Sequence, residues 1–381
     1  MLIKKNQNNI LLDRLNNHNY KVEPSFHAVR CDLAKNLSNK LIHNKDSMQN
    51  RMLGLFIKRI LSHKKTYAKH CLSRGIGQVV HFSSGNEPLN CLYSWFISFI
   101  MGNINIVRVS DRADSDDLRL ITDISKILDE YNILDAFVHG IDKSFFSDAA
   151  SKVARVRLIW GSDNTIASIK SYKTPINCTD YIFGDRLSGC ILDLSNLQKR
   201  DLTSSNQLVS GLCNDLIANE GALCSSPSVI YLISNGLDTS IDMLHTLLDH
   251  VIALSDLKSP WNLALFNKKT IYNQQKMCST EHPIQISNFN GYTLQYTSSF
   301  SETKNLFRTF EVVTASCLKE ISFLPSNMQT LTYYGIRPVD MSPYIIQNVL
   351  RLVPVGMAHQ FDYLWDGIDL FTSLSLKTYL K

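Results

Sequence analysis

A regular alternation of strand and helix patterns between residues 78 and 160 constrains this chain more than any other feature. Gln78-Val79-Val80-His81-Phe82 reads as a buried strand, and Gly85 ends it. Leu89 to Met101 reads as a buried helix, and Gly102-Asn103 as a turn. The strand Ile104 to Ser110 follows, then an amphipathic helix from Asp116 to Glu130 and the strand Ala136 to His139. A further strand, Arg155 to Trp160, is broken by Gly161. Strands and helices alternating at this spacing predict an α/β fold with a parallel sheet covered by helices. Upstream, residues 1–50 are rich in Asn, Lys and His, and a helical pattern runs from Met52 to Cys71.

Ligands of open parallel sheets gather beyond the carboxyl ends of the strands. Asn86, Ser110, Gly161 and Ser162 all fall just after predicted strands. There is no G-x-G-x-x-G fingerprint, and Gly75-Ile76-Gly77 precedes a strand instead of following one.

The chain has 381 residues, 44% of them apolar and 19% charged, which suits a globular protein of about two or three domains. A net charge of +5 without a dense basic tract does not point to nucleic acid. Nine cysteines are scattered with no C-x-x-C pair, which disfavours a disulfide framework or a metal site and favours a reducing, cytoplasmic setting. The amino terminus has no apolar signal core, and the longest apolar run, near Leu92 to Met101, is about half a membrane span. No transmembrane segment is expected.

One cysteine stands apart. Cys224 lies in Asn219-Glu220-Gly221-Ala222-Leu223-Cys224-Ser225-Ser226-Pro227, between a small-residue turn and the apolar strand pattern Ser228 to Leu232. A turn before a strand can present a thiol to a cleft, and a thiolate is a strong nucleophile for an acyl group. Burial in the core is the ordinary fate of a cysteine next to a strand.

Taken in order, Gly85-Asn86-x-Pro88, Gly102-Asn103, Arg108-Val109-Ser110, Trp160-Gly161-Ser162 and Cys224-Ser225-Ser226-Pro227 resemble the LuxC-type acyl-CoA reductases, within the aldehyde dehydrogenase superfamily. Met328-Gln329-Thr330-Leu331 and Trp365-Asp366-Gly367-Ile368-Asp369-Leu370 add to the likeness, which covers about residues 75–375. The resemblance implies an aldehyde dehydrogenase-like fold, with a Rossmann-type cofactor lobe and an α/β catalytic lobe. The expected divisions are 1–200 for the amino-terminal segment and cofactor lobe, 201–335 for the catalytic lobe, and 336–381 for a segment returning to the cofactor lobe.

The resemblance also implies roles. Cys224 would accept the acyl group, and the Asn86 amide with the Cys224 backbone N–H would stabilise the oxyanion. Arg108, Ser110, Asp111, Gly161 and Ser162 would contact NADPH or NADH. Asp111 favours NADH through the ribose 2′-hydroxyl, although it also suits a helix cap. Hydrolytic relatives carry a Glu that activates water. The matching segment here is Ile182-Phe183-Gly184-Asp185-Arg186, so an apolar Ile182 stands in that place and hydrolysis to a free acid is disfavoured. Implied partners are an acyl-CoA, an acylated carrier or partner enzyme, an acyl-protein synthetase, or further copies of the chain. An acyltransferase, an acyl-binding subunit or a non-catalytic scaffold of the same fold are the other readings.

Pro260-Trp261-Asn262 imitates a superfamily motif but follows Cys224 instead of preceding it, and is read as a loop or helix start. His245 and His250 are five apart, not the four of a zinc pair, and are read as structural. His81 and His359 are read as structural or as acid–base candidates, and Thr309 and Glu311 as unassigned near the nicotinamide ribose.

Overall fold

A computed structural model of the chain describes residues 1–17, 21–44, 47–67, 72–84, 90–195, 206–221, 223–233, 237–258, 263–277, 285–288, 291–297, 307–321, 324–325, 327–345 and 349–378. They form two compact units, Met1–Asp185 with Phe361–Lys381, and Arg186–Gln360.

The strands of the first unit before residue 186 are β1 (Leu2–Ile3), β2 (Leu72–Gly75), β3 (Gln78–Phe82), β4 (Ile104–Arg108), β5 (Ala136–Val138), β6 (Val156–Trp160) and β7 (Thr179–Phe183). Six of them form one sheet in the order β1-β5-β4-β3-β6-β7, with every pair parallel. The alternation predicted between residues 78 and 160 therefore stands, with helices at Asn90–Ile100 and Ser115–Glu130. Every residue of β3, β4 and β6 is buried, as expected for central strands covered on both faces. The helix Asn90–Ile100 is apolar nearly all round because it packs inside the unit, with Trp95, Phe96 and Phe99 in the core. Strand order reverses between β3 and β6, which makes the carboxyl ends of these two strands the topological switch point.

A buried polar chain ties the central strands together. Trp160 Nε1 donates to Ser94 Oγ at 3.3 Å, which lies 2.9 Å from His81 Nδ1. His81 Nε2 is 3.0 Å from Asn105 Oδ1, and Asn105 Nδ2 donates to Asp135 at 2.9 Å. Trp95 Nε1 and the Asn105 N–H also donate to Asp135, at 2.6 and 2.9 Å. His81 is thus a structural residue of the first sheet.

The segment after residue 361 belongs to this unit. Ser375–Thr378 pairs antiparallel with β2, and Trp365 and Phe371 join the core. Asp366 and Gly367 take φ of 50° and 76° and turn the chain between Leu364–Trp365 and Ile368–Asp369. Two left-handed residues in succession explain the Asp-Gly pair in that motif.

The second unit is built on β8 (Leu187–Asp193), β9 (Val229–Ile233), β10 (Gln285–Asn288), β11 (Thr293–Thr297), β12 (Thr309–Ala315), β13 (Met328–Tyr334) and β14 (Val349–Pro354). Their order is β10-β11-β12-β9-β8-β13-β14, parallel except for β10 against β11. Borders near 200 and 335 fall inside this unit, because β8 sits between β9 and β13, and β14 pairs with β13. One face of the sheet packs Ile230, Leu232 and Val312 against helices, including Leu237–Lys258; the other packs Val229, Tyr231 and Leu331. No described helix is long and apolar enough to cross a membrane.

Candidate active site

In the second unit, the chain leaves the π-helical turn Cys213–Ile217 through Glu220 and Gly221, at φ of 60° and 72°. It then closes a tight turn in which the Ser226 N–H donates to the Leu223 carbonyl at 3.0 Å. Leu223, Ser225 and Ser226 are buried, whereas Cys224 between them is exposed. The turn is fastened to the amino ends of the strands. Ser188 Oγ donates to the Cys224 carbonyl at 2.7 Å, the Ser228 N–H to the Ser188 carbonyl at 2.9 Å, and the Glu311 N–H to the Ser228 carbonyl at 2.9 Å.

Among the described residues, exposure separates Cys224 from most other thiols. Cys31, Cys91, Cys190 and Cys213 are buried, and burial pushes the thiols of Cys91 and Cys190 up to about 12. Such thiols are protonated and inert at neutral pH. Cys317 is also exposed, but it lies after β12.

Beside Ser225, His359 Nδ1 lies 2.8 Å from the Ser225 hydroxyl, and His359 Nε2 lies 3.0 Å from the Asn214 carbonyl. Burial pushes the imidazole down to about 4, so it is neutral at pH 7. Next to Asn214, Asp215 is buried and accepts from the N–H groups of Gly356 and Ala358 at 2.6 and 3.0 Å. Burial raises its carboxyl to about 6, against the lowering effect of those two bonds.

In the first unit, the residues expected to contact a cofactor lie at the carboxyl edge of the sheet. Arg108 ends β4 and is buried; its Nη2 donates to the exposed carboxylate of Asp111 at 2.8 Å. The helix that follows is capped by Asp114, which accepts from the N–H groups of Asp116 and Asp117. Asp111 therefore does not cap it. Ser110 Oγ accepts from the Arg112 N–H at 3.2 Å.

At the switch point, Gly161 follows β6, and a Cβ there would lie 3.1 Å from Thr165 Cγ2. Ser162 caps the helix Asp163–Lys170 by accepting from the Thr165 N–H. Asp163 and Asp185 exchange bonds there, each N–H reaching the other's carboxylate at 3.4 and 3.3 Å. These two carboxylates oppose the positive end of the helix dipole. Ile182 lies on β7 and packs against the core of this unit, so no carboxylate stands at that position.

Asn86 lies outside the described residues, as does the Pro260-Trp261-Asn262 segment. His245 is bonded to the hydroxyls of Tyr292 and Tyr296 at 3.2 and 2.9 Å. Sequence reasoning missed Ser188, Asn214 and Asp215. They are far from Cys224 or from their own partners along the chain, and carry no local motif.

A profile of the family described as acyl-CoA reductase (LuxC) matches residues 27–376. The chain belongs to the LuxC acyl-CoA reductase family. No curated protein sequence matches it. Among solved structures, betaine aldehyde dehydrogenase from Staphylococcus aureus is similar with a TM-score of 0.72 at 11% identity, covering 98% of this chain and 86% of that one. The indole-3-acetaldehyde dehydrogenase AldA of P. syringae, in complex with NAD+ and IAA, gives 0.67 at 10% identity, covering 92% and 83%. KauB of Pseudomonas aeruginosa, an aldehyde dehydrogenase, gives 0.66 at 11% identity, covering 92% and 83%. At such identities the likeness establishes the aldehyde dehydrogenase fold, with its Rossmann-like and catalytic parts.

Proposed function

We propose that this member of the LuxC family reduces an acyl thioester to an aldehyde with NADH or NADPH, through an acyl group carried on Cys224. The observation that carries the reading is the exposure of Cys224 on a pinned turn inside a chain of this family. In the first half-reaction the Cys224 sulfur attacks the thioester carbonyl carbon. The tetrahedral anion collapses, the bond to the donor sulfur breaks, and the donor leaves as a thiol after taking a proton. A bound nicotinamide supplies the hydride for the second half-reaction. Hydride addition to the carbonyl carbon gives the thiohemiacetal anion on Cys224, whose C–S bond breaks as the C=O bond re-forms, releasing the aldehyde and restoring the thiolate. The Cys224 N–H and the Asn86 amide would donate to the oxyanion in both halves.

The fit of the first unit to a dinucleotide rests on three features. The sheet has a switch point between β3 and β6. Gly161 leaves little room for a side chain beside the following helix. The exposed Asp111 carboxylate stands after the second of the sequential parallel strands, where an acid can bind the adenosine ribose. The AldA structure carries NAD+, which agrees with this reading. Asp163 and Asp185 make the helix start less favourable to a pyrophosphate than a bare helix end, so Ser162 and backbone N–H groups would hold it.

Ile182 supports acyl transfer over hydrolysis, since it offers no base for water. An acylated partner enzyme or an acyl-CoA could serve as donor. The test is purified protein with a panel of acyl-CoAs and each reduced cofactor, following nicotinamide absorbance and aldehyde. Loss of absorbance matched by aldehyde is expected. Acyl transfer to added thiol with no nicotinamide consumed would leave an acyltransferase in place of the reductase.

A further inference from the structure

The residue after Cys224 is the start of a hydrogen-bond relay. The Asn214 carbonyl can only accept, so the Nε2 of His359, 3.0 Å away, carries the proton. Nδ1 is then a lone pair, and the Ser225 hydroxyl at 2.8 Å donates to it. Both ends of the relay are tied to the same place. Asn214 sits beside Asp215, whose carboxylate holds the N–H groups of Gly356 and Ala358. From the other side, Arg351 donates to the carbonyls of Ala358 and Gln360 at 3.1 and 3.0 Å. The loop that carries His359 is therefore strapped before and after the imidazole.

A serine hydroxyl on a histidine whose second nitrogen is oriented by an acceptor also resembles a nucleophile pair. Burial decides against that role: Ser225 is 4% exposed, and its Oγ offers an acyl group no approach. The neighbouring Cys224 is the exposed member of the turn. Its carbonyl is fixed by Ser188 and its next residue by His359, so its backbone is held from both sides.

We infer that His359 is a positioning residue which, through Ser225, holds the Cys224 turn in the geometry that presents the thiol. The inference rests on the reading of Cys224 as the acyl acceptor. It adds a device that acts on that thiol without touching substrate. The loop 356–360 also becomes a lever on the site, because anything that shifts the strap shifts Ser225.

The experiment compares His359→Ala, Ser225→Ala, the double variant and His359→Gln with wild type, and runs Cys224→Ala alongside. Readouts are kcat and KM for acyl-CoA reduction, the rate of Cys224 alkylation by iodoacetamide mapped by peptide mass, and thermal stability. Each alanine variant should lower kcat and the alkylation rate about tenfold, the effect of one lost hydrogen bond, with KM little changed. The double variant should lose no more than the worse single one, because both remove the same bond. His359→Gln should recover most of the rate, since its amide can accept from Ser225 and donate to Asn214. If His359→Ala does not fold, Ser225→Ala, which removes one buried oxygen, carries the test. Wild-type kcat and alkylation in Ser225→Ala, with Cys224→Ala inactive, would overturn the positioning role and leave the Cys224 reading standing. Additive losses in the double variant would overturn it too. Turnover in Cys224→Ala would instead sink the reading on which the inference rests.

Discussion

Acid should destabilise the first unit through His81, by about 2 kcal/mol at about pH 5. The imidazole is fully buried and neutral. Asn105 donates its amide N–H to Asp135, so its oxygen accepts from His81 Nε2, and Ser94 donates to Nδ1. A second proton at Nδ1 would displace the Ser94 donor and place a charge in the core. Burial pushes the folded-state value down from 6.5 to about 4, with the Asn105 bond opposing it. The unfolded chain takes up the proton first as pH falls below the ordinary value. Stability from this group is therefore complete above 6.5 and is lost as pH falls towards 4. One pH unit within that window is worth about 1.36 kcal/mol, which integrates to about 2 kcal/mol lost at about pH 5. Urea denaturation followed by tryptophan fluorescence at about pH 7.5 and about pH 5 would measure it, in wild type and in His81→Gln. Gln has no proton to take up in this range. The variant is less stable at neutral pH, but its loss between the two pH values should be smaller than wild type's by about 2 kcal/mol. His359 has a similar shift in the second unit and contributes equally to both proteins, so it cancels. An identical pH loss in the two proteins would rule out His81 and place the acid sensitivity elsewhere.

Three further outcomes are expected. Asn86→Ala should lower kcat by about a hundredfold or more with KM nearly unchanged, the mark of a donor to charge that develops in the transition state; a change confined to KM would make Asn86 a binding or turn residue. Asp111→Ser should raise the kcat/KM ratio for NADPH over NADH by about tenfold, because it removes a carboxylate that repels a 2′-phosphate and releases Arg108; an unchanged ratio in a stable variant would place Asp111 outside the cofactor site. Gly335→Ala should destabilise the second unit by about 2 kcal/mol or more, since Gly335 has φ of 79° and a Cβ there would lie 2.1 Å from the Asp193 carbonyl oxygen; a wild-type denaturation midpoint would contradict the strained turn.

The first sheet was legible because its signals are local. Short, fully buried runs such as Val79 to Phe82 and Ile104 to Arg108 are marked by their length, their β-branched residues and the turn residues that bound them. The edge strand Leu2–Ile3 was not, since two residues have no period, and only pairing with Phe137 and Val138 makes them a strand. Strand order in the second sheet was equally hidden. Leu187–Asp193 meets Met328–Tyr334 across more than half the unit, and nothing in either segment names the other. That is why borders near 200 and 335 do not coincide with the compact units. Cys224 could be singled out as a candidate by its turn and its setting before a strand, and its exposure agrees with that setting. The supports of that turn could not, because Ser188, Asn214 and His359 reach it or one another over 36, 145 and 134 positions. Asp111 was open between a cap and a ribose contact, and the choice is narrowed by Asp114, which takes the cap.

Everything proposed for the reaction turns on Cys224 carrying the acyl group. It is tested most directly by incubating the protein with an acyl-CoA in the absence of nicotinamide, digesting it, and locating the acyl mass by peptide sequencing. One hydroxylamine-labile acyl group is expected on the peptide containing Cys224, and the undigested acyl-protein should release it as aldehyde when NADH or NADPH is added. Acyl label on Cys317 or another residue, or full turnover in Cys224→Ala, would contradict it.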